Sequence, residues 1–246
     1  SDAVSERRFS LAGDAVNTPG EAAAGYGALI GELRTRSQSL EDGVATEAVE
    51  ISVLGDANFV ARYASEAQAR DAILARLNNV DGIFSAQVGV ALHVVSVDVD
   101  GEPAASLTAT TDSNALLQEL GRLRQRTAAL STTGLSHLFT GRNLDGDTAG
   151  IAYELSLCSP RYSASLTESR NSVVLDSLIT AHEIGHVFGA LHDGAEQCPS
   201  TPQNQYIMAP NLNSAVTSFS QCSLDKINTV LDSYSCVVAL PPPACR

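Results

Sequence analysis

Three of the five histidines, His182, His186 and His192, fall within eleven residues, in the segment AHEIGHVFGALHD. On a helix of 3.6 residues per turn, positions 182 and 186 lie on one face, one turn apart. Two imidazoles so placed reach one metal ion. Glu183 is adjacent on the helix and can address a water on that metal without being a ligand. Gly189 follows His186 by three residues, and glycine accepts the positive φ that ends a helix and turns the chain. The turn gives His192 a route back to the same ion, which a continued helix would deny it. Three neutral nitrogens with one open position describe a catalytic zinc site rather than a closed structural one. The open position takes a water whose pKa zinc lowers towards about 7.

HExxH alone is a weak signal, but HExxHxxGxxH fixes five positions in a chain with few histidines. The single methionine, Met208, stands in QYIMAP, sixteen residues after His192. Beneath a three-histidine site it would form a soft, apolar floor, although core filling is the usual task of methionine.

The elements that must carry these groups are legible as an alternation. AVEISVLGD, from Ala48, reads as a strand with Val49, Ile51 and Val53 alternating with Glu50 and Ser52. Ser65–Val80 reads as a helix, Val88–Val99 as a β-branched strand and Asn114–Ala129 as a second helix. Leu135–Thr140 and Gly150–Leu157 read as strands joined by a turn-rich segment. Val173–Leu191 reads as a third helix, and Asp225–Asp232 begins a last one. The order implies an α/β fold with a mixed sheet, long helices including the one with the histidines, and a smaller irregular C-terminal subdomain. Residues 1–45 read as a leader or peripheral segment, with a short helix over Ala22–Arg36. Residues 46–238 form the main domain, and the proline-rich 239–246 a linker.

Composition narrows the function. The chain has 246 residues, 44% hydrophobic and 17% charged, with 28 acids against 15 bases for a net charge of −13. That field repels phosphate backbones, so nucleic acid is a poor partner. No apolar run approaches the roughly 20 residues of a membrane span. The five cysteines form no CxxC pair, which argues against a thiolate zinc knuckle, and their odd count allows two disulfides plus one thiol. That usage points to an oxidising compartment.

HEIGHVFGALHD, IMAP and FSQCS together resemble the adamalysin (reprolysin) branch of the metzincin metalloproteases; the longer histidine string followed by a Met-turn is the metzincin signature. Asp193, directly after the third histidine, is that branch's mark. GIAYELSLCSP (150–160) is similar to the family's cleft strand, and AVEISVLGDANFVARY (48–63) to its opening strand, so the likeness covers about 48–238. The resemblance implies a metzincin-type catalytic domain and a secreted zinc endopeptidase. His182, His186 and His192 would bind zinc, Glu183 would be general base to the zinc-activated water, and Met208 would be the Met-turn residue. Asp193 would pin the turn below the zinc. Protein or peptide substrates would lie extended along the strand near 136–152, with Ala209–Asn213 as a pocket wall. Disulfides Cys158–Cys236 and Cys198–Cys222 are implied, leaving Cys245 for a further C-terminal domain missing from this chain. Tyr206 stands where many members have a third-bridge cysteine. For calcium, Glu50 and Cys236 match the family's ligands, but Gly134 stands where an aspartate is expected. Two other readings share these residues: a protease-fold binding module with zinc but little activity, and a latent protease held inactive by its N-terminal segment. The presence of Glu183 and all three histidines speaks against the first.

Overall fold

The computed structural model describes residues 45–99, 101, 103–195, 198–211 and 216–241. The segment before Ala45, with its expected helix, and Cys245 lie outside the described residues.

Five strands make one path in the order β2-β1-β3-β5-β4: β1 (Glu47–Gly55), β2 (Val90–Asp98), β3 (Leu135–Thr140), β4 (Gly150–Ala152) and β5 (Ala164–Glu168). The β1/β2, β1/β3 and β3/β5 pairs are parallel, and β4 runs antiparallel to β5. A sixth strand, β6 (Val238–Ala239), pairs antiparallel with the start of β1. The sheet is therefore mixed, as read from the sequence, and β4 forms one edge.

Helices cover both faces. On one side α2 (Glu66–Gln87) and α5 (Val173–Val187) pack on the sheet around Ile51, Val53, Ile73, Leu77, Phe84, Ile184 and Val187. On the other, α3 (Ser113–Arg126) and the short α4 (Ala128–Ser131) enclose Leu54, Leu116, Leu120, Leu138, Ile151 and Leu166. A further short helix, α1 (Ala57–Val60), is capped by the Asp56 side chain at Phe59 N. α6 (Gln221–Leu231), capped by Ser220, closes the C-terminal part.

Several boundaries differ from the sequence reading for physical reasons. β1 is sandwiched between helix layers, so Ser52 is as buried as its apolar neighbours rather than facing solvent. α2 runs on to Gln87 because Ile83 and Phe84 prolong the buried stripe beyond Val80. The third helix stops at Val187, not Leu191. Gly189, at φ 102°, ends it in a Schellman turn, with Gly189 N donating to His186 O and Ala190 N to Gly185 O. The strand expected over Gly150–Leu157 is only Gly150–Ala152, because Leu155 and Cys158 take positive φ and turn the chain. β5 was absent from the reading. Its sequence ASLTE alternates, but only between Ala164 and Leu166 and small polar residues, and all five residues are buried. The last helix begins at Gln221, one turn earlier than Asp225.

Two disulfides are present, Cys158–Cys236 and Cys198–Cys222. The first ties the turn after β4 to the chain after α6; the second links α6 to the irregular region after α5.

Candidate metal centre

α5 is buried nearly all round, so its polar residues must be satisfied inside the protein. At its N-terminal end the Ser172 side chain accepts from Leu175 N. Asp176 then anchors the helix, accepting from Arg76 Nε at 2.9 Å, Ser169 Oγ at 2.7 Å and Arg170 N at 2.8 Å. Burial pushes the Asp176 carboxyl up, against the downward pull of Arg76. Midway, Thr180 Oγ1 meets Thr167 Oγ1 at 3.1 Å, below the sheet.

At the C-terminal end the three imidazoles converge. Their Nε2 atoms are 3.0 Å (His182 to His186), 3.1 Å (His182 to His192) and 3.3 Å (His186 to His192) apart. His182 Nδ1 lies 2.6 Å from Ile207 O, and His186 Nδ1 lies 2.8 Å from Ala190 O. A carbonyl can only accept, so both Nδ1 atoms carry the proton and both Nε2 atoms present a lone pair. Lone pair then faces lone pair, which a shared cation satisfies. Tetrahedral zinc–nitrogen bonds of about 2.0–2.1 Å put nitrogens about 3.3 Å apart, so the spacing fits zinc. The carbonyl partners on Nδ1 are the outer hydrogen bonds that fix ligand tautomer and orientation. Burial first, then the charges of His186 and His192, hold His182 well below the ordinary histidine value. Neutrality is the state coordination requires. Among the described residues these three histidines are the one cluster of three or more metal-capable side chains.

The floor is made by close approach. A Cβ on Gly185 would sit 2.8 Å from Met208 Sδ and 3.1 Å from Phe219, so only glycine lets Met208 press against this turn of the helix. Asp193 N donates to Met208 O at 2.9 Å, and Asp193 Oδ1 accepts from Ser220 Oγ at 2.7 Å and Ser223 Oγ at 3.3 Å. One aspartate thus joins the turn after His192, the methionine segment and the start of α6.

Glu183 lies under the sheet edge: a Cβ on Gly150 would fall 2.6 Å from Glu183 Oε1. That oxygen is buried and has no hydrogen-bond partner among the described residues. Burial, then the charge of Glu154, raises the Glu183 carboxyl well above its usual range. Sequence reasoning passed over Glu154, and no spacing rule would have found it, since its nearness depends on the turn after β4.

The expected substrate strand near 136–152 is narrowed. β3 has neighbours on both sides, whereas among the described residues β4 pairs only with β5, and it borders Glu183. Leu212 and Asn213 of the expected pocket wall lie outside the described residues. Of the expected calcium positions, Gly134 lies beside the other two: a Cβ there would come within 3.1 Å of Glu50 O and of Cys236 Sγ, and within 2.4 Å of Val49.

The sequence profile described as metallo-peptidase family M12, of reprolysin type, matches residues 45–220. The chain belongs to that family. That family is one of metallopeptidases, and the histidine cluster of this chain fits a zinc ion. A zinc metalloproteinase/disintegrin of Bitis gabonica is 34% identical over 102 residues, covering 41% of this chain and 31% of that protein. The snake venom metalloproteinase trimerelysin-2 of Protobothrops flavoviridis is 28% identical over 140 residues, 55% of this chain and 68% of its own. Human "a disintegrin and metalloproteinase with thrombospondin motifs 7" is 27% identical over 215 residues, 80% of this chain but 12% of that protein. The match thus spans about a third of the Bitis protein and far less of the human one. No helix among the described residues is long and apolar enough to cross a membrane.

Proposed function

We propose that this chain is a secreted endopeptidase that hydrolyses peptide bonds with Glu183 as general base and His182, His186 and His192 as zinc ligands. The observation that carries the reading is the Glu183 carboxylate itself, next to His182 in sequence on the helix of the imidazole cluster, with its buried Oε1 against Gly150 of the edge strand β4. Zinc bound there would supply Lewis acidity to a water and to the scissile carbonyl.

The remaining steps belong to the protein. An extended substrate adds to β4 as a further strand, with main-chain hydrogen bonds fixing its height above α5. Glu183 Oε1 accepts a proton from the attacking water and returns it to the leaving amine. Burial makes that carboxylate a stronger base than an exposed one, since its charged form is poorly solvated. Met208 and Phe219 shut water out beneath the cluster, and Asp193 fixes the turn that presents His192. Two disulfides and the venom relatives support an extracellular setting.

The test is zinc content measured together with hydrolysis of a mixed peptide library, with and without chelator. About one zinc per chain is expected, with cleavage abolished by chelator and restored by zinc. Zinc-free protein that cleaves equally well, or zinc-loaded protein that cleaves nothing, would overturn the reading.

A further inference from the structure

The rows of the sheet that face α5 hold Phe139 and Ala152, whereas Leu138, Leu166 and Ile151 face the opposite layer. In those same α5-facing rows three polar side chains are wholly buried: His137 on β3, and Ser165 and Thr167 on β5. A fourth, Thr180, meets them from α5. Its Oγ1 lies 3.1 Å from Thr167 Oγ1 and 3.4 Å from His137 Nε2, and His137 Nδ1 lies 2.8 Å from Ser165 Oγ. The neighbours of Thr180 on the helix, Ile179, Ala181 and Ile184, belong to the apolar core. Apolar contacts are non-directional, whereas a hydroxyl pair bonds only over a narrow range of distance and angle. The Thr167–Thr180 contact therefore sets how α5 stands under the sheet, both along its axis and about it.

That setting decides where Glu183 lies. Thr167 is directly opposite Gly150 across the β4/β5 pair, so the two residues present the same face of the sheet. Thr180 precedes Glu183 by three residues, a spacing that puts both on one side of the helix. Two opposed sheet residues thus touch two side chains about a turn apart on α5. Thr167 bonds Thr180, and a Cβ on Gly150 would fall 2.6 Å from Glu183 Oε1. We propose that Thr180, acting through Thr167, is a positioning residue that holds the Glu183 carboxylate under β4. The inference rests on the peptidase reading above.

Thr167→Val combined with Thr180→Val tests it in the zinc-loaded full chain. Replacing both partners of a buried hydrogen bond by apolar groups of the same shape is close to neutral for stability, so the urea midpoint and zinc content should stay near wild type. Hydrolysis of a peptide that the wild type cleaves should lose about tenfold in kcat with little change in KM. Thr167→Ser with Thr180→Ser keeps both hydroxyls and should recover most of the rate. In a Glu183→Gln background the valine pair should cost nothing further, because the loss acts through that carboxylate. Crystal structures of the wild type and the valine form should show the carboxylate displaced from Gly150 while His182, His186 and His192 keep their places. If the valine pair does not fold, Thr167→Val alone takes its place, since Thr180 then keeps His137 as a partner. A wild-type kcat in the valine form, or a valine loss undiminished in Glu183→Gln, overturns the proposal and leaves the peptidase reading intact. If the wild type cleaves no peptide, that reading fails, and the crystal structures alone decide: a carboxylate that stays beneath Gly150 removes Thr180 from the positioning role.

Discussion

At the scale of single residues, the site depends on what Glu183 can reach. Its Oε1 is buried, next to Gly150 and without a hydrogen-bond partner among the described residues. Glu183→Gln preserves volume and removes the carboxylate proposed as the base. Hydrolysis should fall by on the order of 10²–10⁴ while zinc content holds at the wild-type level. A variant that cleaves at the wild-type rate would remove Glu183 from the chemistry. Gly150→Ala probes the same carboxylate from above. The new methyl would start 2.6 Å from Oε1, too close for either group to stay. Displacement of a reacting group by about 1 Å costs on the order of 10²-fold. The expected result is a loss of kcat of that order with zinc retained, measured by steady-state kinetics and elemental analysis. Unchanged kcat would mean that the strand, not the carboxylate, gives way.

At the scale of elements, α5 is held at both ends. The Arg76–Asp176 pair links it to α2 through Arg76 Nη2 and Asp176 Oδ2 at 2.9 Å, with both side chains almost wholly buried. Asp176→Ala strands a buried guanidinium and should cost about 3–5 kcal/mol in urea unfolding. A loss below about 1 kcal/mol would show that Arg76 finds another partner. This anchor was not legible in the sequence, because Arg76 and Asp176 lie a hundred residues apart and nothing local marks them as partners. The histidine helix was legible, since HExxHxxG carries its periodicity and its glycine stop in one short string. Its end was misjudged by four residues because Ala190 and Leu191 continue the apolar pattern after Gly189 has already turned the chain. β5 is weakly marked for a different reason: burial between helix layers lets serine and threonine line an interior strand, so its alternation with Ala164 and Leu166 carries little apolar contrast. The histidine cluster itself was readable, whereas Glu154 and the β4 edge needed the fold.

At the scale of the whole molecule, acid tolerance turns on a histidine far from the ion-binding cluster in sequence. His137 lies on β3, fully buried between the sheet and α5. Its Nδ1 is 2.8 Å from Ser165 Oγ, and its ring meets Phe139 edge-on. Burial lowers its pKa to about 3. An unfolded chain titrates this group near about 6.5. Below that pH the unfolded state takes up a proton that the native state refuses, so stability is full above about 6.5 and declines as pH falls towards 3. Between pH 7 and pH 4 the loss from this one group is on the order of 3 kcal/mol. Glutamine at this position cannot gain the proton, yet keeps a polar group for Ser165. Release of zinc from the proposed ligands would also destabilise the protein in acid, but equally in both proteins. The difference between wild type and His137→Gln therefore isolates the buried ring. In urea titrations across that range the variant should lose about 3 kcal/mol less than wild type, whatever its stability at pH 7. Two curves that fall in parallel would mean that His137 is reached by solvent or protonated inside the folded protein, and that acid acts on the fold through the metal cluster instead.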